Sequence, residues 1–147
     1  MPKEAAVYPI PYEWFKKGIR RYGFHRTTNK YCSQKAAKIL NKPLESLRII
    51  ICHLGNGASL TAVRNRISIN TTMGFTPLEE LMMGTRSGSI HSAILIYLMQ
   101  EYNFGAEKLN KMLNQESGLK GISGESGDMR YIINACLLYT SPSPRDA

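Results

Sequence analysis

Residues 49–63, Ile-Ile-Ile-Cys-His-Leu-Gly-Asn-Gly-Ala-Ser-Leu-Thr-Ala-Val, leave the chain few choices. Ile49 to Cys52 and Leu54 have strand character, and Ser59 to Val63 is a second β-prone run. Gly55-Asn56-Gly57 between them is a tight turn, so the stretch reads as strand, glycine turn and returning strand. Gly55 and Gly57 remove the side chains that keep a backbone away from a bulky anion, and the N–H groups of Asn56 to Ser59 can then point at phosphate oxygens. An ordinary Asn-Gly hairpin is the competing reading. His53, Asn56 and Ser59 place three polar groups around a turn that needs one at most, which favours a polyphosphate site. Cys52, inside the apolar run, reads as a small core residue, and Cys32 as a helix residue.

Around this hairpin the chain supplies short elements. Residues 1–10 look extended, and Tyr12 to Lys17 can form a helical turn with Trp14 and Phe15 inward. Gly18 to His25 reads as a short strand ending in a polar cluster. Thr27 or Thr28 can cap a helix with Tyr31, Ala36, Ala37, Ile39 and Leu40 inward and Lys30, Lys35 and Lys38 outward, ended by Asn41-Lys42-Pro43. After an Asn65-Arg66 turn, Ile67 to Thr71 suits a third antiparallel strand. Thr76-Pro77-Leu78-Glu79 has the order of a helix start: cap, proline at the first position, glutamate three after the cap. Ser89 to Tyr102 is an amphipathic helix, and Ala106 to Asn114 a second that buries Leu109, Met112 and Leu113. Gly118, Gly121 and Gly124 mark a loop, and Asp128 to Asn134 begins another helix. By pattern alone the fold class is α/β or α+β.

Charge narrows the function classes. The net charge of +8 lies wholly in residues 1–48, which hold eleven Lys and Arg against Glu4, Glu13 and Glu45. A nucleic-acid surface has such a balance, but no arginine-glycine repeat, zinc spacing or stacking motif accompanies it, and the charge run through Lys30, Lys35 and Lys38 reads as the wet side of one helix. No run of about 18 apolar residues and no secretory leader stands in the chain, and the three cysteines form no Cys-x-x-Cys pair. A soluble cytoplasmic protein, with no membrane partner and no metal site of its own, is the expectation.

Three ordered motifs then carry a resemblance. His53-Leu54-Gly55-Asn56-Gly57-Ala58-Ser59, Met73-Gly74-Phe75-Thr76-Pro77-Leu78-Glu79 and Leu81-Met82-Met83-Gly84-Thr85-Arg86-Ser87-Gly88 resemble the acetate kinase (acetokinase) family, over about Val7 to Ala135 and about the middle third of a member. The resemblance implies part of an actin-like, ribonuclease-H-like nucleotide-binding domain, opening on three antiparallel strands followed by helices. Residues 1–48 would then end a first domain and 49–135 begin the second. Residues 136–147 have no counterpart, break a helix and resemble translated sequencing adapter; a native disordered tail is the alternative.

The implied reaction moves the γ-phosphoryl group of ATP to acetate, giving ADP and acetyl phosphate with magnesium, in a homodimer. Pushing two anions together demands positive charge and donors around the equatorial oxygens of a loose transition state. Arg86, between Gly84 and Gly88, suits this as a permanent cation with paired donors, and such an arginine contributes roughly 10³ to 10⁵ in rate. His25 and His53 can donate to phosphate oxygens without acting as bases, because a carboxylate acceptor is already deprotonated at neutral pH. Carried over by position, the family's active-site histidines fall on His25 and His53, its phosphate-contacting asparagine on Asn56, its arginine on Arg86 and its acetyl pocket on Phe24 and Pro77. The stretch Asp128-Met129-Arg130 falls where the family holds ribose and adenine.

There are departures: Arg26 and Asn29 replace a glycine and a histidine after His25, Ser89 replaces an aspartate after Arg86, and Glu80 replaces a glycine. The resemblance also implies a catalytic aspartate and a further arginine before Met1, and a magnesium-orienting glutamate beyond the tail, so that this chain carries half a cleft and is inactive alone. A degenerate nucleotide-binding paralogue, and a basic nucleic-acid binder, are the alternative functions.

Overall fold

The computed structural model describes residues 1–138, the side chains of 136–138 excepted. They fall into two compact units that divide between Leu81 and Met82. The first unit is built on the hairpin. β1 (Arg48–Leu54) pairs antiparallel with β2 (Ala58–Arg64), and β2 with β3 (Ile67–Thr71), in the order β1-β2-β3. His53 stands opposite Ser59 and Ile51 opposite Thr61, so these four share one face of the sheet. That face is the covered one: Ile51, Ser59, Thr61 and Val63 are buried. A helix, α3 (Arg26–Ile39), lies against it, with Ser33 buried and the Asn29 amide donating to Thr61 Oγ1 at 2.9 Å. Asn65 and Arg66 both adopt left-handed backbone, the turn chemistry that joins two twisted strands with two residues.

The three strands and the glycine turn are as the sequence predicts; several neighbouring elements are not. Lys3–Ala6 closes one helical turn, α1, where extended chain is expected. In α2 (Tyr12–Lys16) Phe15 stacks on Tyr12, but Trp14 is exposed, with the Lys17 ammonium 4.4 Å from its ring. Residues 21–25 form no strand; Gly23 (φ 70°) and His25 (φ 59°) are both left-handed, and His25 starts α3. Thr27 and Thr28 therefore lie inside the first turn rather than capping it. Tyr31, Ile39 and Leu40, expected inward, are exposed, because α3 turns its polar Ser33–Asn29 edge to the sheet. Cys52 is exposed as well: it alternates with Ile51 and His53 onto the uncovered face with Ile50 and Leu54. Thr76 to Leu81 is a turn, not a helix. Glu79 and Glu80 are drawn to Arg21 and Tyr8 instead of completing a helical first turn.

The second unit is helical: α4 (Ser92–Tyr102), α5 (Ala106–Gln115), α6 (Gly118–Ser123) and α7 (Met129–Leu138). The His91 imidazole accepts from the Ala93 N–H and starts α4 three residues later than Ser89. Left-handed Asn103 ends it. Leu109 is buried in α5, as expected, with Met112 and Leu113 partly so. The glycines expected to form a loop, Gly118 and Gly121, lie in α6, and Gly124 ends it in left-handed conformation. α7 continues through Cys136 to Leu138, past the expected break; the remainder of the suspected tail, 139–147, lies outside the described residues. No helix among the described residues is long and apolar enough to cross a membrane.

Candidate active site

In the first unit the turn Gly55-Asn56-Gly57 projects from the ends of β1 and β2. A Cβ at Gly55 would meet nothing in the chain closer than the Gly57 carbonyl at 3.6 Å and His53 Nε2 at 3.7 Å, which are ordinary contacts. The chain's own packing does not demand glycine there, so the space beside the turn is open to another group. Asn56 is exposed at its tip.

Beside the turn, the sheet brings two distant imidazoles together. His53 leaves the last pleat of β1, and His25, 28 positions earlier in the sequence, stacks on it with ring centroids 3.8 Å apart and planes 23° from parallel. His25 Nδ1 shares a 2.7 Å hydrogen bond with Ser59 Oγ, and Ser59 is fully buried. That bond fixes the ring orientation of His25. Ser59, which the sequence offers as a phosphate donor, thus has its side chain engaged by His25.

Phe24 lies on the wall of a cleft of about 620 Å³ between α3 and the β2–β3 edge, with Asn29, Thr61 and Thr71 at its floor and Arg26 and Lys30 on its rim. Asn29 Oδ1 is buried without a hydrogen-bond partner. Pro77 is exposed in the turn 75–81. That turn is fastened by Arg21 and Tyr8, which the sequence reading did not single out, through Glu79 and Glu80. Arg21 Nη2 donates to Glu79 Oε1 at 2.8 Å, Arg21 Nη1 to Glu80 Oε1 at 3.2 Å, and the Tyr8 hydroxyl to Glu79 Oε2. The tandem Arg20-Arg21 before Tyr22 and the Glu79-Glu80 pair after Pro77 are the signal that could have joined them. Burial, then the bond to Glu79, pushes the Tyr8 phenol up to about 12.

In the second unit, Arg86 sits in a loop held almost entirely by main chain. Leu119 N donates to Met83 O and Lys120 N to Gly84 O, both at 2.9 Å, so the first N–H groups of α6 are satisfied by this loop. Ser117 N donates to Thr85 O at 3.1 Å, Ser87 N to Leu113 O at 2.9 Å, and the Thr85 hydroxyl to Asn114 O at 3.0 Å. The Arg86 guanidinium approaches Met83 Sδ at 3.6 Å among its contacts. Gly127 lies so close to Gly84 that a Cβ would come within 2.7 Å of its carbonyl oxygen, which brings the segment leading to Asp128 against the same loop. Asp128 and Arg130 are turned on each other at the start of α7, with Nη2 to Oδ2 at 2.7 Å and Nε to Oδ1 at 3.1 Å. The Arg130 side chain and then its backbone N–H pull the Asp128 carboxyl down to about 2. Met129 is half exposed between them.

A model of the acetokinase family matches residues 1–141. The chain belongs to the acetokinase family. Acetate kinase of Rippkaea orientalis is 71% identical over 135 residues, which are 92% of this chain and 33% of that protein. Acetate kinase of Microcystis aeruginosa is 67% identical over the same length, 34% of its own. Among solved structures, acetate kinase of Porphyromonas gingivalis superposes with a TM-score of 0.90 at 41% identity, covering 93% of this chain and 35% of that one. A propionate kinase from Francisella tularensis gives 0.87 at 46% identity, with the same coverages. The chain therefore spans about a third of the length of the acetokinases it matches. It carries the α/β fold of the corresponding third of those kinases, part of an actin-like, ribonuclease-H-like domain.

Proposed function

We propose that the full-length protein containing this chain is an acyl kinase that transfers the γ-phosphoryl group of ATP to acetate, giving ADP and acetyl phosphate, reversibly and with magnesium. The observation that carries the reading is the His25–His53 stack, oriented by buried Ser59 beside a glycine turn whose open side the chain itself does not fill. Donors grouped around open space suit phosphate oxygens.

In this reading His53, the Asn56 side chain and the N–H groups of Asn56 and Gly57 hold the polyphosphate, Gly55 leaves room for it while its own N–H closes the turn on the Gly57 carbonyl, and buried Ser59 acts through His25. His25 donates to the moving phosphoryl group, and Arg86 supplies the cation for its equatorial oxygens. Asp128, Met129 and Arg130 line the nucleoside end, which requires the Asp128–Arg130 pair to open or to offer its outer edge. Phe24 and Pro77 are the apolar walls for the acyl group. Among the described residues no three His, Cys, Asp or Glu side chains come together as a cation site. The residues present do not fit magnesium, whose ligands this reading assigns to other parts of the full-length protein. Residues 1–48 close one domain and 49–135 open the next, and the enzyme is a cytoplasmic homodimer.

The test is acyl phosphate formation by the full-length protein, trapped as the hydroxamate. Turnover with acetate supports the reading, and Arg86→Ala is expected to cost about 10³-fold or more in kcat. Acyl phosphate made by the 147-residue chain alone would contradict the half-cleft. One observation favours a second reading, a nucleotide-binding relative without turnover: Arg26 places a long cation on the rim of the cleft that Phe24 lines. ATP binding by the full-length protein with no acyl phosphate would select it.

A further inference from the structure

We propose that Tyr8, Arg21 and Glu79 form a positioning clamp that sets which acyl acceptors the site takes, by fixing the turn that carries Pro77 against the segment that carries Phe24. The inference rests on the acyl-kinase reading, and adds to it three residues that touch neither substrate.

The clamp joins three stretches far apart in sequence. The Tyr8 hydroxyl donates to Glu79 Oε2 and accepts from the Phe75 N–H at 2.8 Å, so one oxygen ties both ends of the turn around Pro77. Its phenol is held neutral by burial, and the donated proton stays in place across the working pH range. Arg21 takes the other carboxylate oxygen of Glu79 at 2.8 Å, reaches Glu80 at 3.2 Å, and also donates to the Thr71 carbonyl at the end of β3 at 3.2 Å. The backbone repeats the connection: Arg21 N donates to Ala6 O at 2.9 Å and Tyr22 N to Gly74 O at 3.0 Å. Gly74 is what lets the parts meet, since a Cβ there would run into both the Glu79 carboxylate and the Tyr8 hydroxyl.

Phe24 lies three residues after Arg21, and Pro77 two before Glu79. The guanidinium that holds Glu79 is thus on the segment that leads to the aromatic wall. An ion pair serving stability alone would need only to hold its own two elements. This one is shared among the β3 end, the N-terminal segment and both ends of one turn, and it prevents the helix that Thr76-Pro77-Leu78-Glu79 would otherwise start. Rigid walls are what discrimination by a single methylene requires, since such a group is worth only about 10- to 200-fold.

The test uses the full-length protein with Tyr8→Phe and Glu79→Gln, which remove one oxygen and one charge without changing shape. Each is expected to move the acetate-to-propionate ratio of kcat/KM by about threefold to tenfold and to raise KM for acetate, with KM for ATP changed less than about twofold. The double variant is expected to shift the ratio by less than the two single effects combined, because both loosen one shared network. An unchanged ratio in both single variants, with either unchanged or lowered thermal stability, overturns the clamp while leaving the acyl-kinase reading intact. A full-length wild type that forms no acyl phosphate from any carboxylate overturns both.

Discussion

Gly118 opens α6 directly beneath the Arg86 loop, and replacing it by alanine tests whether that loop must be rigid. Two costs add. The backbone there is left-handed (φ +66°), which strains any residue with a Cβ by about 1–2 kcal/mol. The added carbon would also lie 2.7 Å from Arg86 O and 3.1 Å from Arg86 N, with Met83 O closer still, and these are main-chain atoms that cannot swing aside. Overpacking of this kind costs about 1–3 kcal/mol. The sum, about 2–5 kcal/mol, is a large part of a typical stability of about 5–15 kcal/mol. The control is Gly124, also left-handed (φ +71°) but with nothing within 4 Å of a Cβ. Gly124→Ala carries the backbone strain alone, partly offset by the smaller entropy of the unfolded chain, for a net loss of about 1 kcal/mol or less. Relief of the Gly118 clash requires the 83–86 backbone to move, and displacing a charge by about 1 Å can cost about 100-fold in rate. Thermal unfolding and acyl phosphate kinetics on the full-length protein read both effects. Equal melting points and equal kcat/KM for Gly118→Ala and Gly124→Ala would refute the argument that the loop is held by contact with α6.

Three further outcomes are expected. Arg66→Gly completes an Asn-Gly turn at a left-handed position (φ 66°) and should gain about 0.5–1 kcal/mol by denaturant unfolding, because the Glu45 ion pair it loses is exposed and screened. The Asp128 carboxyl, depressed in the folded state, contributes stability present above the ordinary carboxylate range and lost as pH falls towards 2. Carbon NMR should place its midpoint at about 2, returning to the normal range in Arg130→Gln. The Tyr8 phenol is raised, so its contribution is complete below pH 10 and lost between 10 and about 12. Ultraviolet titration should find one late tyrosine that becomes ordinary on unfolding, and none in Tyr8→Phe.

What was legible in the sequence follows the range of the interactions. The hairpin was legible because strand propensity, glycine turn and a return run all lie within fifteen residues, and the register follows from the turn. The Thr76 helix start was misread because its signals are local, while Glu79 is claimed by Arg21 and Tyr8, 58 and 71 positions away. His25 is expected at the end of a strand and instead starts a helix, with its ring held by Ser59, 34 positions on. The apolar pattern of β1 was read correctly but assigned to the wrong place. Ile49 to Ile51 is apolar on both faces, yet within the described residues one face is covered while Ile50 and Leu54 are each 73% exposed. Hydrophobicity reports that a surface is to be covered, and not whether the covering segment lies in the same stretch of chain.

The two units also build their candidate site residues by different physics, with a consequence for how variation acts on them. In the first unit, side chains do the joining: His25 to Ser59, Asn29 to Thr61, Arg21 and Tyr8 to Glu79. Each such link can be weakened by one atom, so substitutions there grade the geometry, and departures such as Asn29 can be absorbed by a new partner on the sheet. In the second unit the Arg86 loop is held by main-chain hydrogen bonds and by glycines at 118 and 127 that leave no room for a Cβ. Those bonds do not depend on which side chains are present, and the tolerated changes are therefore the ones that leave the backbone path alone, such as Ser89 beyond the loop's end. Under the proposed function, a charge needed at one point in every turnover would gain from the second kind of frame, and walls that distinguish acyl groups by a methylene from the first, where small changes of side chain give small changes of fit.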